Sequence, residues 1–562
     1  MYSDKAGVTH LVETLIQKGL REVVLSPGSR NAPLSLSFHH HPEIELIVIP
    51  DERSAAYFAL GMAQQLRRPV AVVCTSGTAA LNYAPAIAEA YYQKVPLLIL
   101  TADRPIAWVD QADGQTIRQR DLFLNYVKHG YEIPGDGKTE EELWFIRRIV
   151  SQAYDQTLLH GEGPVHINIP LSEPLYGRSK ELPQLRPIDT LVPESSLSED
   201  QLMSLAERWN NSERKLILTG LMEPHPALEK MLEQIADDPS VTVLTETTSN
   251  LHSERFNGCI DRIITSIHDG EKIDFHPDLL ITFGGPVISK KVKVFIRKNT
   301  PKEHWHIDPS EMHLDTYQCL THTIPLSPAS LLLQLLPYLK KKESKWSKTW
   351  KEKDHKTQKA HLDYLSNCSF SDLSAFDRIL NAIPAKSDLH LSNSSPVRYV
   401  QLFRETEKID YHSNRGASGI DGCTSTASGA AHASKRPTTL ITGDIGFFYD
   451  SNALWNNYLH SSLRIIVINN GGGGIFRIID GPEHEEEIEK LFETRQQLSA
   501  EHLCKAFGLN YFKAESKLEL DLQLKAFYDS SNQQASVLEV FTPTRENPKI
   551  LKSYFDHLKA NS

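Results

Sequence analysis

Cysteine is scarce in this chain: only six of its 562 residues are cysteines, and they are widely spaced. They are Cys74, Cys259, Cys319, Cys368, Cys423 and Cys504. No two of them form the CxxC spacing that is typical of zinc and redox sites, which disfavours a zinc site. We therefore expect free thiols, which are typical of a protein in the reducing cytoplasm.

Long hydrophobic runs and an excess of positive charge are also absent. No segment approaches the roughly 20 apolar residues of a membrane span, and the N-terminal MYSDKAGVTH has no signal-peptide pattern. We expect no membrane insertion. The net charge of −11 disfavours a general nucleic-acid-binding protein, which needs a basic face. With 40% hydrophobic and 23% charged residues, the composition is that of a globular protein, and its length predicts several domains.

Short apolar segments alternate with helical patterns at both ends of the chain. They include REVVL, ELIVI, PVAVV and VPLLIL near the N-terminus, and TTLIT, LRIIVI and ASVLEVF near the C-terminus. This alternation indicates parallel sheets covered on both faces. We predict an α/β fold of three doubly wound parallel-sheet domains: residues 1–182, 198–340 and 365–562. The first and third look alike in plan, and Ser198 and Gln201 predict a capping box at the start of the second.

A basic segment, KKKESKWSKTWKEKDHKTQKA, occupies residues 340–360. One interpretation is a binding patch for an acidic ligand. The other is a solvated linker helix that buries Trp346 and Trp350 as a stripe on one face. We favour the linker helix.

Two glycine-rich turns carry the most informative local pattern. The strand TTLIT runs into Gly443 and Asp444, and the strand LRIIVI runs into Asn469, Asn470 and a GGGG stretch, with 24 residues between Asp444 and Asn469. In a parallel sheet both turns lie at the carboxyl edge, where ligands bind. The Asp444 carboxylate, the Asn470 side-chain oxygen and the Gly472 carbonyl would suit Mg²⁺ on a diphosphate, and equally Mn²⁺. The alternative is two ordinary turns after buried strands.

This spacing resembles the signature of thiamine-diphosphate enzymes, GDG followed about 25 residues later by NN. The third position is Ile445 instead of glycine, a departure that removes no ligand. The resemblance implies that thiamine diphosphate binds between two subunits, with the central domain as a spacer. It also implies a bulky apolar residue beneath the cofactor, for which Ile420 is the candidate.

Such an enzyme needs a carboxylate against the aminopyrimidine ring, because a protonated ring nitrogen helps the cofactor to lose the proton of its thiazolium carbon. The candidate is Glu52, just after a buried strand. Glu52 could instead be a first-turn glutamate that the helix dipole favours. The segment TSGTAALN resembles the turn that lines the pyrimidine pocket, which makes Thr78 and Asn82 cofactor-binding candidates.

Further motifs resemble one family, 2-succinyl-5-enolpyruvyl-6-hydroxy-3-cyclohexene-1-carboxylate (SEPHCHC) synthase. They are SPGSRNAPL, DERSAAYFALG, TSGTA, LTADRP, GQTIRQ, SNSSPVR, SNRGASGIDG and GGIFRII. The resemblance covers the first and third domains almost end to end and the central domain only loosely. It implies decarboxylation of 2-oxoglutarate and 1,4-addition of the succinyl carbanion to isochorismate, in menaquinone biosynthesis.

The substrates implied by this resemblance carry several carboxylates, which arginine binds well through its planar fork. By resemblance, Arg398 and Arg415 bind the distal carboxylate of 2-oxoglutarate, with Ser394 also at the cofactor. The candidates for isochorismate are Ser29, Arg30, Arg104, Lys290 and Lys291. Gln115, as a catalytic residue, would orient the carboxylate or the attacking adduct through its amide. Ile475 and Phe476 would pack the apolar side of the pocket, and Arg118 is a further cation in a matched motif.

Two departures weaken single assignments. Gly114 precedes Gln115 where the family often has asparagine, and Lys290-Lys291 stands where some members have Lys-Arg. Three alternatives remain at this point: a thiamine enzyme of the acetohydroxyacid synthase or 2-oxo acid decarboxylase type, a catalytically inactive scaffold, and a nicotinamide-dependent Rossmann enzyme. The last is disfavoured because GGGG lacks the GxGxxG spacing. The sequence does not choose between dimer and tetramer.

Overall fold

Three parallel β-sheets organise the part of the chain that the structure, a computed structural model, describes: residues 1–192, 195–310, 312–404, 409–477 and 487–562. In the first domain, the strands and helices are β1 (Tyr2–Ser3), α1 (Ala6–Lys18), β2 (Glu22–Leu25), α2 (Ala32–His40), β3 (Glu45–Val48), α3 (Glu52–Leu66), β4 (Val70–Cys74), α4 (Thr78–Asn82), α5 (Ala84–Gln93), β5 (Leu97–Asp103), β6 (His129–Glu132), α6 (Glu140–Gln156), β7 (Val165–Pro170) and β8 (Arg178–Ser179).

The central domain contains α7 (Glu199–Asn211), β9 (Lys215–Thr219), α8 (Pro226–Ile235), β10 (Val241–Thr245), α9 (Ile260–Ser266), β11 (Leu279–Phe283), α10 (Lys290–Lys298), β12 (Glu303–Ile307), β13 (His322–Ile324), α11 (Pro328–Leu335) and the connecting helix α12 (Trp346–Asn367). The capping box predicted at its start is confirmed, since Ser198 accepts from the Gln201 backbone and Gln201 accepts from that of Ser198.

The third domain contains α13 (Asp372–Ala382), β14 (Ser387–Leu391), α14 (Ser395–Val400), β15 (Ile409–Ser413), α15 (Cys423–Ser434), β16 (Thr438–Gly443), α16 (Asp444–Tyr449), β17 (Leu463–Asn469), α17 (Ile488–Leu491), α18 (Glu501–Phe507), β18 (Asn510–Ala514), α19 (Lys517–Phe527), β19 (Ser536–Phe541) and α20 (Asn547–Asn561).

The sheets of the first and third domains have the same strand order. It is β3-β2-β4-β5-β7-β6 in the first and β15-β14-β16-β17-β19-β18 in the third, and every neighbouring pair in both sheets is parallel. The central sheet, β10-β9-β11-β12-β13, is parallel too. The predicted fold class of three parallel-sheet α/β domains is therefore confirmed, as is the likeness of the outer two.

Strand order also locates the crevices where ligands bind. In a doubly wound sheet the crevice lies at the carboxyl ends of the two strands where the order reverses. Those strands are β2 and β4 in the first domain, and β14 and β16 in the third. The turns after β14 and β16 carry the SNSSP and GDI segments, so the topology brings these motifs together.

Residues 346–360 of the basic segment form the first part of α12, and residues 340–345 precede the helix. Trp346 is 3% exposed and Trp350 is fully buried, and the Trp346 indole nitrogen donates to the Lys215 carbonyl of the central sheet. The linker-helix interpretation, with both tryptophans as its buried stripe, is confirmed. Among the described residues, no helix is both long enough and apolar enough to span a bilayer.

Helices α3 and α15 fasten the first domain to the third. They cross at two glycines: a Cβ on Gly61 would lie 1.9 Å from the Thr426 carbonyl oxygen, and one on Gly429 would lie 2.0 Å from that of Phe58. The Tyr57 hydroxyl donates to Asp421 across the same contact, at 2.8 Å. The crossing fixes the direction in which the N-terminal end of α3, with Glu52, faces.

We expect Gly61→Ala to lower the free energy of unfolding by roughly 1–3 kcal/mol, because the added methyl group must push two backbones apart. The gain in helix propensity, about 1 kcal/mol, offsets only part of this strain. Urea denaturation measures the change. Gly270→Ala is the matched control, since no atom lies within 4 Å of a Cβ added there. Equal stability of the two variants would contradict the tight crossing.

Candidate active site

A cavity of about 160 Å³ lies at the strand-order reversal of the third domain. Its walls come from the turn after β14, the turn after β16, the glycine-rich segment after β17, and the start of α13. All of its lining residues belong to the third domain. Among them are the predicted cofactor residues Ser394, Ile420, Gly443, Asp444, Asn470, Gly472 and Ile475, together with Phe476. The structure thus brings together candidates that are up to 82 positions apart in the sequence.

Asp444 is the anionic centre of this cavity and is 2% exposed. One carboxylate oxygen accepts from the Ile445 backbone at 2.8 Å and the other accepts from the Gln496 amide at 2.7 Å. Burial raises the pKa of the Asp444 carboxyl to about 6. A buried carboxylate without an ion-pair partner among the described residues is costly unless a cation joins it, so its surroundings suit a metal ion.

Asn470 supplies a second donor atom for a cation. Its amide nitrogen donates to Asp372 at 3.2 Å, while its side-chain oxygen, although buried, has no hydrogen-bond partner among the described residues. Gly472 has φ +146°, and a Cβ there would lie 2.6 Å from the Glu493 carbonyl oxygen, so only glycine fits. The neighbouring Asn469 instead donates to Glu539 at 2.8 Å and braces β17 against β19.

Sequence reasoning missed two residues that hold this arrangement. Asp372, 2% exposed, orients the Asn470 amide, and Gln496 orients the Asp444 carboxylate. A weak signal for Asp372 exists, because it follows the helix-capping Ser371 in the segment SDLS. No local sequence pattern marks Gln496, which lies 52 positions after Asp444 in the chain.

Two arginines lie beside the cavity. Arg415 is 8% exposed and donates to the Asn393 side chain at 2.9 Å, and its Nε has no hydrogen-bond partner among the described residues. Arg398 donates to the Ser394 carbonyl of the cavity wall. Burial and the nearby charge of Arg398 lower the pKa of Arg415, and burial lowers that of Arg398. Two desolvated cations side by side suit an anionic ligand.

The backbone that carries Arg415 is clamped by the first domain. The Glu89 carboxylate, 1% exposed, accepts from the Gly416 backbone at 2.6 Å and from the Ala417 backbone at 2.7 Å. Sequence reasoning missed this residue as well, because a glutamate in the middle of a helix (α5) carries no motif.

The first-domain crevice gathers a second group of candidates. The turn after β2 packs on the turn after β4, since a Cβ on Gly28 would lie 2.3 Å from the Thr75 Cβ. Ser29 is exposed in this turn, whereas Arg30 is 5% exposed and donates to the Leu171 carbonyl at 2.8 Å.

The loop after β5 completes this group. Arg104 donates to the Gly114 carbonyl at 2.9 Å, and its charge, after burial, lowers the pKa of Arg30. Gln115 is exposed at φ +55°, with its Cα 3.2 Å from a Cβ added at Gly77. Ser29, Arg30, Arg104 and Gln115 therefore share one sheet edge. Arg118 is not part of the group, because its 80% exposed side chain pairs with Asp110 on the surface.

Glu52 and its predicted companions stand apart from the third-domain cavity. Glu52 begins α3 and is partly exposed, while Thr78 and Asn82 are exposed on α4. Burial, and after it the Glu52 charge, raises the pKa of the Cys74 thiol, so Glu52 lies near the end of β4. None of these three residues lines the cavity within one chain.

Lys290 and Lys291 are also apart from the Arg30 group within one chain. Lys290 is exposed at the start of α10, and the Lys291 ammonium lies 4.3 Å above the Phe555 ring. The charges of Lys291 and Arg398 both act on Asp261, which places the lysine closer to the third-domain arginines.

Comparisons with known proteins identify each domain. Residues 5–122 match the thiamine pyrophosphate enzyme N-terminal TPP binding domain, residues 193–391 the middle domain of thiamine pyrophosphate, and residues 394–540 the C-terminal TPP binding domain. The matches support thiamine diphosphate as the cofactor.

Full-length relatives carry a single name, 2-succinyl-5-enolpyruvyl-6-hydroxy-3-cyclohexene-1-carboxylate synthase. The chain is 43% identical to the protein of Christiangramia forsetii over 100% of both chains. It is 44% identical to that of Flavobacterium johnsoniae over 99% of this chain and 100% of the relative. It is 40% identical to that of Porphyromonas gingivalis over 100% and 98%. The resemblance seen in the motifs is confirmed, and the chain belongs to the SEPHCHC synthase family of thiamine-diphosphate enzymes.

Proposed function

We propose that this enzyme decarboxylates 2-oxoglutarate and adds the succinyl carbanion to isochorismate in a 1,4-addition, giving SEPHCHC and CO₂ in menaquinone biosynthesis. The observation that carries the substrate assignment is the pair of partly desolvated arginines beside the third-domain cavity, the half-buried Arg398 and the buried Arg415. A second carboxylate on the oxo acid explains why two desolvated cations are kept there. An enzyme of the acetohydroxyacid synthase or 2-oxo acid decarboxylase type takes a small oxo acid and has no such need.

The cofactor site is the third-domain cavity. Gly443, Ser394, Ile420 and Ile475 would contact thiamine diphosphate, and Asp444, Asn470 and Gly472 would hold a divalent cation on its diphosphate, Mg²⁺ or Mn²⁺. The unpartnered Asn470 oxygen and the buried Asp444 carboxylate support this assignment. When bound, thiamine diphosphate supplies the electron sink for decarboxylation.

The residues of the protein then have to orient the substrates, keep water out of the pocket and hold a proton at the pyrimidine ring. Glu52 would hold a proton at the pyrimidine ring nitrogen, with Thr78 and Asn82 lining the ring pocket. Arg398 and Arg415 would anchor the distal carboxylate and so fix the oxo group against the cofactor. Ser29, Arg30, Arg104, Lys290 and Lys291 would hold isochorismate. The Gln115 amide would orient the carboxylate or the attacking adduct. Phe476 would pack the apolar side of the pocket and keep water from it.

Self-association completes the proposed site. Glu52 does not line the cavity of its own chain. In the first domain, the apolar side chain of Leu81 on α4 is 46% exposed. A second copy of the chain would bring its Glu52 to this cavity. We propose a separate role for each domain. Residues 1–182 bind the pyrimidine, residues 365–562 bind the diphosphate, and residues 198–340 separate these two domains. The cytoplasm suits this assignment, since all six cysteines are unbridged.

Turnover of ¹³C-labelled 2-oxoglutarate, with and without isochorismate, tests the proposed reaction. We expect labelled CO₂ from 2-oxoglutarate, and a succinylated product only when isochorismate is present. Release of CO₂ from pyruvate but not from 2-oxoglutarate would overturn the proposal in favour of the synthase or decarboxylase type.

Arg415→Ala is expected to raise the KM for 2-oxoglutarate by about 10- to 100-fold, because it removes charge-assisted hydrogen bonds to the distal carboxylate. Cofactor affinity should stay unchanged. Steady-state kinetics with each substrate varied in turn measures the effect, and Arg118→Ala on the surface is the matched control. A change confined to the isochorismate kinetics would reassign Arg415 to the second substrate.

A further inference from the structure

The central domain contains a group of three metal-ligating side chains far from the cofactor motifs in sequence. His304 lies on β12, and Asp315 and Cys319 lie in the connection from β12 to β13. One potential ligand atom from each, an imidazole nitrogen, a carboxylate oxygen and a thiol sulfur, lie within 4.8 Å of one another. Among the described residues no other trio of this kind is found.

The turn that carries two of the three groups is already fixed. One Asp315 oxygen accepts from the Cys319 backbone at 2.8 Å and from the Leu320 backbone at 3.0 Å, which leaves the other oxygen for a ligand. Thr321, at the end of the turn, exchanges backbone and side-chain hydrogen bonds with the His304 backbone at 2.9–3.0 Å. The turn is therefore held in register with the strand that carries the imidazole.

The His304 imidazole has an unused nitrogen. The side chain is fully buried, its Nε2 lies 2.8 Å from the Thr282 hydroxyl, and its Nδ1 has no hydrogen-bond partner among the described residues. Such a nitrogen is costly to bury unless it finds a partner.

Neighbouring groups set the tautomer of this imidazole. The Thr282 hydroxyl also lies 2.9 Å from His306 Nδ1, and the Asp308 carboxylate lies 4.0 Å from His306 Nε2 and favours a proton there. His306 Nδ1 then accepts from Thr282, and Thr282 accepts from His304 Nε2. His304 Nδ1 is left with its lone pair, the form that binds a metal.

We propose that His304, Asp315 and Cys319 form a binding site for a borderline divalent cation of the Zn²⁺ type. Nitrogen, carboxylate and thiolate ligands select such ions over Mg²⁺ and Ca²⁺, which prefer oxygen ligands alone. Three protein ligands leave a fourth tetrahedral position for water. The ligand atoms of a tetrahedral zinc ion lie about 3.3–3.8 Å from one another. On cation binding, rotation about the side-chain bonds of Asp315 and Cys319 would shorten the distances between the ligand atoms by about 1 Å.

The cation would fasten the segment at residues 312–321 onto β12. Tyr317 in this segment is 4% exposed and packs edge-on against the His304 ring, with centroids 5.6 Å apart. Cation binding at Cys319 displaces the thiol proton, because the thiolate is the form that binds a metal. Sequence spacing gives no sign of this site, because its ligands come from a strand and from the irregular segment after it.

Titration with Co²⁺, a coloured substitute for Zn²⁺, tests the site in the full chain. Thiamine diphosphate and Mg²⁺ are added first, so that the diphosphate site is filled. We expect a thiolate-to-cobalt charge-transfer band that saturates at one equivalent per chain and disappears when Zn²⁺ is added. No thiolate is among the proposed diphosphate-site ligands, so the band does not come from that site, and the Cys319 variant below separates Cys319 from the other five thiols.

Three variants test the assignment of the ligands. Asp315 is exposed and Cys319 is half-buried, so the fold should tolerate a substitution at either position. Cys319→Ser should abolish the band, and Asp315→Asn, which keeps the oxygen that accepts from the turn, should weaken Co²⁺ binding about tenfold or more. His322→Gln is the matched control in the adjacent strand and should leave the titration unchanged. Absence of the band from the wild-type chain, or its survival in Cys319→Ser, would overturn the proposal.

Discussion

Glu52→Gln is expected to lower kcat by about 100- to 10 000-fold while cofactor affinity stays close to that of the wild type. The amide keeps the size of the side chain but cannot hold the proton that the pyrimidine ring nitrogen must share. Because the diphosphate contacts lie in the third domain, they should survive the change. Single-turnover decarboxylation and a fluorescence titration of the cofactor measure the two quantities separately.

Glu141→Gln is the matched control for this variant. Glu141 also lies in the first turn of a helix, α6, and is exposed. If Glu52 only complements a helix dipole, both variants should keep full activity and lose a similar, small amount of stability, about 0.3–1 kcal/mol. Activity of Glu52→Gln on the level of Glu141→Gln would remove Glu52 from catalysis.

Asp444→Ala is expected to weaken thiamine-diphosphate binding by about 100-fold, because the cation that bridges to the diphosphate loses its charged ligand. The defect should depend on the metal. Calorimetric titrations with Mg²⁺ should separate wild type from variant, and the same titrations in chelator should make them alike. Asp444→Asn keeps the size of the side chain and one oxygen, so its cofactor affinity should lie between those of the wild type and Asp444→Ala.

Asp556→Ala, on the exposed face of α20, controls for the loss of one negative charge. Equal cofactor affinity of Asp444→Ala and wild type in Mg²⁺ would contradict the metal assignment. An equal defect with and without chelator would instead indicate that Asp444 contacts the cofactor directly.

Much of the fold follows from the sequence, because fully buried strands of a parallel sheet are continuous apolar runs. The segments TTLIT and LRIIVI became the central strands β16 and β17, and their glycine-rich turns necessarily meet at one sheet edge. Asp444, Asn470 and Gly472 could be predicted for this reason. Ile420, Ser394 and Phe476 could not be derived in this way. Only resemblance placed Ile420 and Ser394 at the cofactor and Phe476 on the apolar side of the substrate pocket.

The supporting residues were beyond prediction for a physical reason. Asp372, Gln496 and Glu89 act by orienting other groups through hydrogen bonds made across the fold. Their residue types are common. Apart from the weak capping signal beside Asp372, no local pattern in the sequence separates them from surface residues. For Arg118, a matched motif suggested a site cation, and within one chain its exposed side chain pairs with Asp110.

The structure of one chain does not show how two subunits would combine to form the proposed site. Within a chain, the crossing of α3 and α15 fixes Glu52 outside the cavity that holds Asp444. We propose that Glu52, as the activating carboxylate, and the metal site serve one cofactor because they come from two copies of the chain.

Mixing two inactive chains tests this most directly. Glu52→Gln and Asp444→Ala chains, purified alone, should each be nearly inactive. When they are unfolded together and refolded, or co-expressed, we expect about a quarter of wild-type activity, because half of the dimers are mixed and each holds one site with both residues intact. Mixed dimers confirmed by mass spectrometry but no more active than the parent chains would contradict the shared site.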